Sequence, residues 1–393
     1  MKIGFFTDAY FPTGFGVSSS IESFYQNLEK LNHEVFIFAP LFKNYKDENK
    51  NVIRFDSLKV FEKPETRLAA PFLPIESFEK TFNSSFDIIH SHSPFSMGFL
   101  GKYISNRKKI PFVYTHHTEY PEYAKIYLKE KILLPYIARA LSVWFSNMSD
   151  AVIAPSFKIQ KSLLENGVKK PIYLLPTGVN INVFKKSEEK TKLKKELKIP
   201  LDKKVLLFVG RISKEKNIDF LIKVFQEIQN SPFKEKITFL IIGDGSYFKN
   251  LKELIKKSKI EKSTIITGFI PHKEIDKYYK VSDIFVFPSL TETQGIVILE
   301  AMASGLPVVA LKDDAFKNIV INNKNGFLID YKKEDAEKDF TQKIIKLLNN
   351  NNLFEELSKN ATKTAHKYSD KNQTEKLVEI YKELILKNKV NLS

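Results

Sequence analysis

The sequence predicts an α/β protein built from two doubly wound domains, and three observations carry that prediction. Short apolar runs rich in β-branched and aromatic residues recur along all 393 residues, separated by helical patterns. Runs that are apolar throughout have both faces buried, which marks parallel strands covered by helices. The same rhythm repeats in each half of the chain, and a charged segment from Lys185 to Lys204 lies between the halves. A chain of this length carries a prior of two domains.

The elements follow in order. In the first half the strand-like runs are KIGFFTD, EVFIFAP, NVIRF, DIIHSH, PFVYTHH, AVIAPS and IYLLP; in the second they are KVLLFVGR, ITFLIIGDG, TIITGF, DIFVFPS, PVVAL and GFLID. The expected domains are residues 1–184 and 185–370, with Lys185–Lys204 a linker running into a helix. An amphipathic helix, KNQTEKLVEIYKELILK, occupies 371–393. In doubly wound folds ligands sit outside the carboxyl ends of the strands, so the residues just after these runs are the functional candidates.

Composition narrows the class. A hydrophobic content of 43% and a charged content of 27% suit a soluble globular protein. No cysteine is present, so disulfides, thiol nucleophiles and thiolate metal sites are excluded. The longest stretches without a charged residue are Ile88–Gly101 and Pro171–Phe184, 14 residues each. A bilayer span takes about 20 apolar residues, so no transmembrane helix is expected. The chain opens directly on a strand, so no signal peptide is expected and the cytoplasm is the default compartment. The net charge of +16 suits phosphorylated substrates, anionic membranes or nucleic acid. Basic residues exceed acidic ones in both halves without a long basic run, which makes the charge weak grounds for a nucleic-acid partner.

Four stretches carry chemistry. FPTGFGVSSS places Gly14 and Gly16 after the first strand, either as a tight strand-to-helix turn or as a close approach to phosphate at a helix N-terminus. DIIHSHSPFSMG and PFVYTHHTEYPEY put His90, His92, His116 and His117 at two strand ends. Zinc, buried structural histidine and a catalytic or substrate-binding role are the three readings. No carboxylate accompanies these histidines at ligand spacing, and polar side chains ending buried strands favour the last. GRISKEKNIDFLI places Arg211 and Lys216 after a strand, where a guanidinium and an ammonium can clamp a diphosphate.

The fourth stretch is LTETQGIVILEA. Its helix is expected from about Gln294 to Gly305, with Thr291, Thr293 and Gly295 at its start. Amides of residues 294–297 would face phosphate oxygens. Glu300 is placed to accept from vicinal hydroxyls, as on a ribose, and Glu292 from sugar hydroxyls or beside a developing positive charge. The combined set points to a nucleotide sugar.

These residues resemble glycosyltransferase family 4. RISKEKN, GDGSY, DIFVFPSLTETQGIVILEAMASGLPVVA and GFLID are similar to the donor domain of those enzymes. The resemblance implies the GT-B fold: two Rossmann-like domains facing across a cleft, the N-terminal one binding the acceptor and the C-terminal one the nucleotide sugar. The terminal helix is then expected to return to the N-terminal domain. It implies donor contacts at Gly16, Arg211, Lys216, Gly243, Gly268, Phe269, Glu292, Gln294, Gly295, Ile296, Val297 and Glu300. Glu292, His117, Arg211 and Lys216 form the catalytic set, with His117 against the transferred sugar. Phe15 replaces the usual first glycine of the N-terminal turn, and Asn180 stands where aspartate is usual.

Within the family, IIHSHSPFSMG and YTHHTEYPEY look most like bacterial enzymes that transfer glucose to diacylglycerol. That likeness implies UDP-glucose as donor, a 1,2-diacylglycerol acceptor and an α-linked product with retention. It implies no cofactor and no metal; the sequence contains no Asp-x-Asp pair. A lipid acceptor requires docking on an anionic membrane surface at the inner face of the cell membrane. The candidates are Lys125, Lys129, Lys131, Arg139 and Trp144 in Tyr123–Phe145, with Lys102, Arg107, Lys108 and Lys109 nearby. The competing reading makes Tyr123–Phe145 a core helix kinked by Pro135. Other readings of the whole chain are a family member acting on a soluble sugar, an epimerase or hydrolase of the same fold using Glu119, and a nucleic-acid-binding protein.

Overall fold

The computed structural model describes residues 1–12, 15–59, 67–119, 134–185 and 190–392. The chain forms two compact units, Met1–Gly178 together with Asp370–Ser393, and Val179–Ser369.

The first unit holds a seven-stranded parallel sheet. Its strands are β1 (Lys2–Phe6), β2 (Glu34–Pro40) and β3 (Val52–Phe55), then, beyond a short antiparallel ribbon of β4 (Ser57–Lys59) and β5 (Arg67–Ala69), β6 (Ile88–Ser91), β7 (Phe112–Thr115), β8 (Ala151–Ala154) and β9 (Ile172–Leu174). The order is β3-β2-β1-β6-β7-β8-β9. Alternate residues of each strand point to opposite faces, and the sheet therefore builds two separate cores. Ile3, Phe5, Val35, Ile37, Ile88 and Val113 pack under the helices Phe15–Lys30 and Asp370–Leu392. Phe6, Phe38, Ile89, Phe112, Tyr114 and Val152 pack on the other face, under the helices Ser96–Lys108 and Leu134–Met148. The terminal helix thus returns to the first unit, where Leu377 and Tyr381 are fully buried.

The second unit has a six-stranded parallel sheet of β10 (Lys204–Val209), β11 (Ile237–Ile242), β12 (Thr264–Ile266), β13 (Ile284–Phe287), β14 (Val308–Leu311) and β15 (Gly326–Ile329), in the order β12-β11-β10-β13-β14-β15. The strand order reverses beside β1 in one unit and beside β10 in the other. Those two reversals place a crevice at the carboxyl end of each sheet.

The unit boundary lies at Gly178, not at residue 184. Val179 and Phe184 are buried in the second core, and the short helix Ile181–Phe184 between them is capped by Asn180, whose Oδ1 accepts from the amides of Asn182 at 3.1 Å and Val183 at 3.2 Å. An amide oxygen does the capping job here as well as a carboxylate would. The segment expected to be a linker is also tied down: Lys190 Nζ donates to Asp283 Oδ1 at 2.9 Å, and Lys194, only 5% exposed, donates to the Lys203 carbonyl. Charge made this stretch look solvated, but its cations Lys190 and Lys194 serve the second unit.

Candidate active site

At the carboxyl end of the second sheet, β10 and β13 run side by side, Leu206 opposite Ile284 and Leu207 opposite Phe285. The loops leaving them are stitched together. Lys216 Nζ donates to Glu292 Oε1 at 2.5 Å, with the side chains only 18% and 11% exposed. Thr291 Oγ1 donates to the Glu215 carbonyl, and Asn217 Nδ2 to the Pro288 carbonyl, both at 3.4 Å. The cation read as a phosphate ligand therefore lies on the carboxylate read as a sugar ligand. An ammonium has three donors, so Lys216 keeps two for an anion while it orients Glu292. Arg211 leaves the same strand end with its side chain exposed.

The helix after β13 starts later than its sequence suggests. It spans Ile296–Ala303, preceded by Gly295 in the left-handed conformation at φ 73°, and neither Thr291 nor Thr293 caps it. A left-handed residue cannot lie inside an α-helix, and glycine adopts that conformation without steric cost. Ile298 N donates to the Gly295 carbonyl at 3.0 Å, which leaves the amides of Ile296 and Val297 facing outward at the positive end of the helix. Gln294 is buried before the turn and is not part of the helical amide set.

Glu300 lies within that helix and is 3% exposed. Its two oxygens are held from different sides: Tyr279 donates to Oε2 at 2.6 Å, and His272 Nε2 lies 2.9 Å from Oε1. The hydrogen bond to Glu300 raises the His272 pKa against the opposing effect of burial, while burial pushes the Tyr279 hydroxyl well up and so keeps it a donor. Each carboxylate oxygen retains a lone pair, which is what a vicinal diol requires. Tyr279 and His272 were missed from sequence. Tyr279 reads as an ordinary aromatic in KYYKVSDIF, and His272 as a loop residue before it.

Gly243 and Gly268 bind each other, Gly243 N donating to the Gly268 carbonyl at 3.0 Å. Gly243 has φ 142°, and a Cβ there would lie 1.8 Å from the Gly210 carbonyl oxygen. No side chain fits, so the loops after β10, β11 and β12 approach one another through bare backbone. Phe269, next to Gly268, is 57% exposed.

The corresponding end of the first sheet carries a cluster of histidines. His90 Nε2 lies 2.6 Å from Thr115 Oγ1 and its Nδ1 2.6 Å from the Tyr381 hydroxyl. His92 packs at 4.1 Å between ring centroids on His90, and its Nδ1 lies 2.9 Å from His117 Nε2. His116 faces elsewhere, buried against Tyr114 and Ser142, and is structural. Burial lowers all four pKa values, to about 4 for His116 and about 3 for His117, and well below the ordinary value for His90 and His92. At neutral pH these rings are uncharged hydrogen-bonding groups. No group of three or more His, Cys, Asp or Glu among the described residues is placed to hold a metal ion.

Asp8, which the sequence did not single out, organises this end. It accepts from Ser93 at 2.6 Å, from Ser96 at 2.5 Å and from the Met97 amide, joining β1 to the start of the helix Ser96–Lys108. Gly14 lies outside the described residues. At Gly16 a Cβ would meet nothing within 4 Å, so packing among the described residues does not demand glycine there.

Of the docking candidates, Lys125, Lys129 and Lys131 lie outside the described residues. Arg139 is exposed, with its guanidinium 6.0 Å from the Tyr136 ring, and Trp144 is 53% exposed and packs 5.8 Å from Phe99. The helix described here, Leu134–Met148, contains Pro135, and the part of Tyr123–Phe145 before Leu134 lies outside the described residues. Lys102 is half-buried over the Phe112 ring and burial lowers its pKa, so it belongs to the packing more than to the surface charge. Arg107 and Lys108 lie over Tyr103 and Phe82.

Comparison with known proteins agrees with this architecture. The family model described as Glycosyltransferase Family 4 matches residues 16–183, and that described as Glycosyl transferases group 1 matches residues 189–364. The chain is 33% identical over 395 residues to the alpha-monoglucosyldiacylglycerol synthase of Streptococcus pneumoniae, covering 99% of this chain and 87% of that protein. It is 32% identical over 405 residues to the protein of the same name from Acholeplasma laidlawii, covering all of both. A solved structure of Anabaena Alr3699/HepE in complex with UDP and glucose superposes with a TM-score of 0.78 at 20% identity, over 98% of this chain and 100% of that one. The chain belongs to glycosyltransferase family 4 and has the GT-B fold.

Proposed function

We propose that this glycosyltransferase moves a hexose, glucose, from UDP-glucose to a membrane lipid, 1,2-diacylglycerol, with retention at the anomeric carbon. The observation that carries the reading is the full-length similarity to two relatives named as monoglucosyldiacylglycerol synthases. The second unit supplies a fitting donor site: cations at Arg211 and Lys216, outward amides at Ile296 and Val297, a diol acceptor at Glu300, and Glu292 for the sugar.

In this mechanism the bond from the anomeric carbon to the phosphate oxygen breaks, leaving negative charge on UDP and positive character on the sugar. Arg211, Lys216 and the helix amides stabilise the first, and such preorganised electrostatics usually dominate catalysis. Glu292, oriented by Lys216, faces the second. The lipid hydroxyl attacks from the face the phosphate leaves, and its proton passes to the departing phosphate oxygen. His117 hydrogen-bonds the hexose as a neutral group.

The acceptor has to be met in a bilayer. No helix among the described residues is long and apolar enough to cross a membrane. The exposed Tyr136, Ile137 and Trp144 share the helix Leu134–Met148 with Arg139, and the helix Ser96–Lys108, whose Phe99 packs on Trp144, ends in Arg107 and Lys108. These rings and cations would serve an interfacial surface. Each such cation contributes about 1 kcal/mol near an anionic surface. The test is incubation with labelled UDP-glucose, UDP-galactose or GDP-mannose and vesicles of anionic lipid with or without diacylglycerol. A labelled α-glucosyl lipid formed only with UDP-glucose and diacylglycerol supports the reading. Turnover of a soluble sugar acceptor with none of the lipid overturns it.

A further inference from the structure

The hydrogen bond between His92 and His117 has a direction, and the surroundings of His92 set it. Both rings are uncharged, held so by burial, so one proton lies between His92 Nδ1 and His117 Nε2, 2.9 Å apart. If that proton is on His117, then His92 carries its own on Nε2. His92 is 2% exposed, and its Nε2 is buried with no hydrogen-bond partner among the described residues. That arrangement would leave an N–H orphaned in the core, beside the Phe5 ring and the His90 ring. Orphaned buried N–H groups are rarer than under-satisfied acceptors. With the proton on His92 Nδ1, only a lone pair is left unpaired, and His117 carries its own proton on Nδ1.

We propose that His92 is a positioning residue that fixes His117 in the tautomer bearing its proton on Nδ1, so that His117 meets its ligand as an obligatory hydrogen-bond donor. The consequence for selectivity is specific. A donor of fixed sense donates to a hydroxyl or carbonyl oxygen and rejects a group that offers only N–H. The brace is deep: His90, packed against His92, is itself held by Thr115 and by Tyr381 from the helix Asp370–Leu392. The ring column therefore runs from the terminal helix to the half-buried His117. That the ligand is the transferred hexose rests on the proposed function; the tautomer does not.

The test has two arms. Nitrogen-15 NMR of histidine-labelled protein at pH 7 distinguishes the tautomers directly, and His92 and His117 are both expected as Nδ1–H forms. In the kinetic arm, His92→Leu removes the donor, whereas His92→Asn restores an N–H near the Nδ1 position. The leucine variant is expected to lose about 10²-fold in kcat, the scale of a misplaced contact, with UDP affinity unchanged and the asparagine variant recovering most of the loss. A wild-type His117 found as the Nε2–H form overturns the proposal, as does a leucine variant with unaltered kcat. If His92→Leu fails to fold, the wild-type spectrum still decides. If the wild type transfers no hexose at all, the proposed function fails while the spectrum still reports on the tautomer.

Discussion

The carboxyl ends of the two sheets occupy equivalent places in equivalent folds, yet they are furnished in opposite ways. The second unit presents charge: Lys216 on Glu292, an exposed Arg211, and a buried Glu300. The first presents a column of neutral rings, the buried His90 and His92 and the half-buried His117. The difference fits the roles proposed for the two ends. A diphosphate is bound and discharged by fixed charge, whereas a sugar or lipid hydroxyl needs directional partners that do not compete for its proton.

The largest expected effect is on the charged side. Lys216→Ala should lower kcat/KM by about 10²–10³, because it removes a stabilising cation and releases Glu292 at once. His117→Ala should cost less. A Lys216 variant within a few-fold of wild type, measured by transfer of labelled glucose, would break the comparison.

Next come the two carboxylates. Glu300→Gln is expected to weaken the binding of free UDP by roughly 10- to 100-fold, the worth of a charged hydrogen bond and its disturbed partners. Glu292→Gln should leave UDP affinity nearly intact and reduce kcat, since the partner proposed for it is the reacting sugar. Calorimetry with UDP beside steady-state kinetics separates them. Equal loss of UDP binding in both variants contradicts the division of roles.

A smaller effect contrasts the units by pH. In the first unit the histidine pKa values are depressed from 6.5 by burial, so the neutral form stabilises the fold above pH 6.5, and that stability is lost as pH falls toward about 4. Asp8, whose pKa is raised by burial, partly offsets this as it protonates. In the second unit the His272 pKa is raised by Glu300, so its contribution is present below pH 6.5 and is lost as pH rises through the raised value. Hydrogen exchange followed by unit from pH 7 to pH 5 should show the first unit loosening and the second holding or gaining protection. Parallel loss in both would refute the assignment.

The smallest expected effect is none. If Arg211 and Lys216 hold the diphosphate as proposed, and with no Asp-x-Asp in the chain, EDTA should leave transfer unchanged, and added magnesium or manganese should not raise it. Abolition by EDTA with recovery on metal would remove Arg211 and Lys216 from the diphosphate.

What was legible in the sequence follows the range of the physics involved. Strands such as DIFVFPS and ITFLIIGDG announce themselves because burial on both faces demands apolar residues at every position. Glu292 and Glu300 were legible because one loop and one helix hold both. The ion pair of Lys216 with Glu292 was not, since 76 residues separate its partners and only the β10–β13 pairing brings them together. The same holds for His92 with His117 across β6 and β7, and for Asp8 at the start of a helix 88 residues away. The unit boundary was misplaced because local charge tracks solvent exposure poorly when a lysine such as Lys194 spends its ammonium on backbone carbonyls.

The return of Asp370–Leu392 to the first unit has a consequence for how the protein is made. Leu377 and Tyr381 complete a core whose other members, from Ile3 to Leu175, emerge from the ribosome before any of Val179–Ser369. Domains generally fold as units during synthesis, the earlier ones first. Here the earlier-made unit cannot close fully until the whole of the later one has been translated. In the interval one face of its sheet is covered by the helix Phe15–Lys30 without its partner Asp370–Leu392. The second unit, contiguous in sequence, is free to fold ahead of the first. During synthesis part of the surface around Phe5, Ile37 and Val113 therefore waits for Asp370–Leu392 before it is buried.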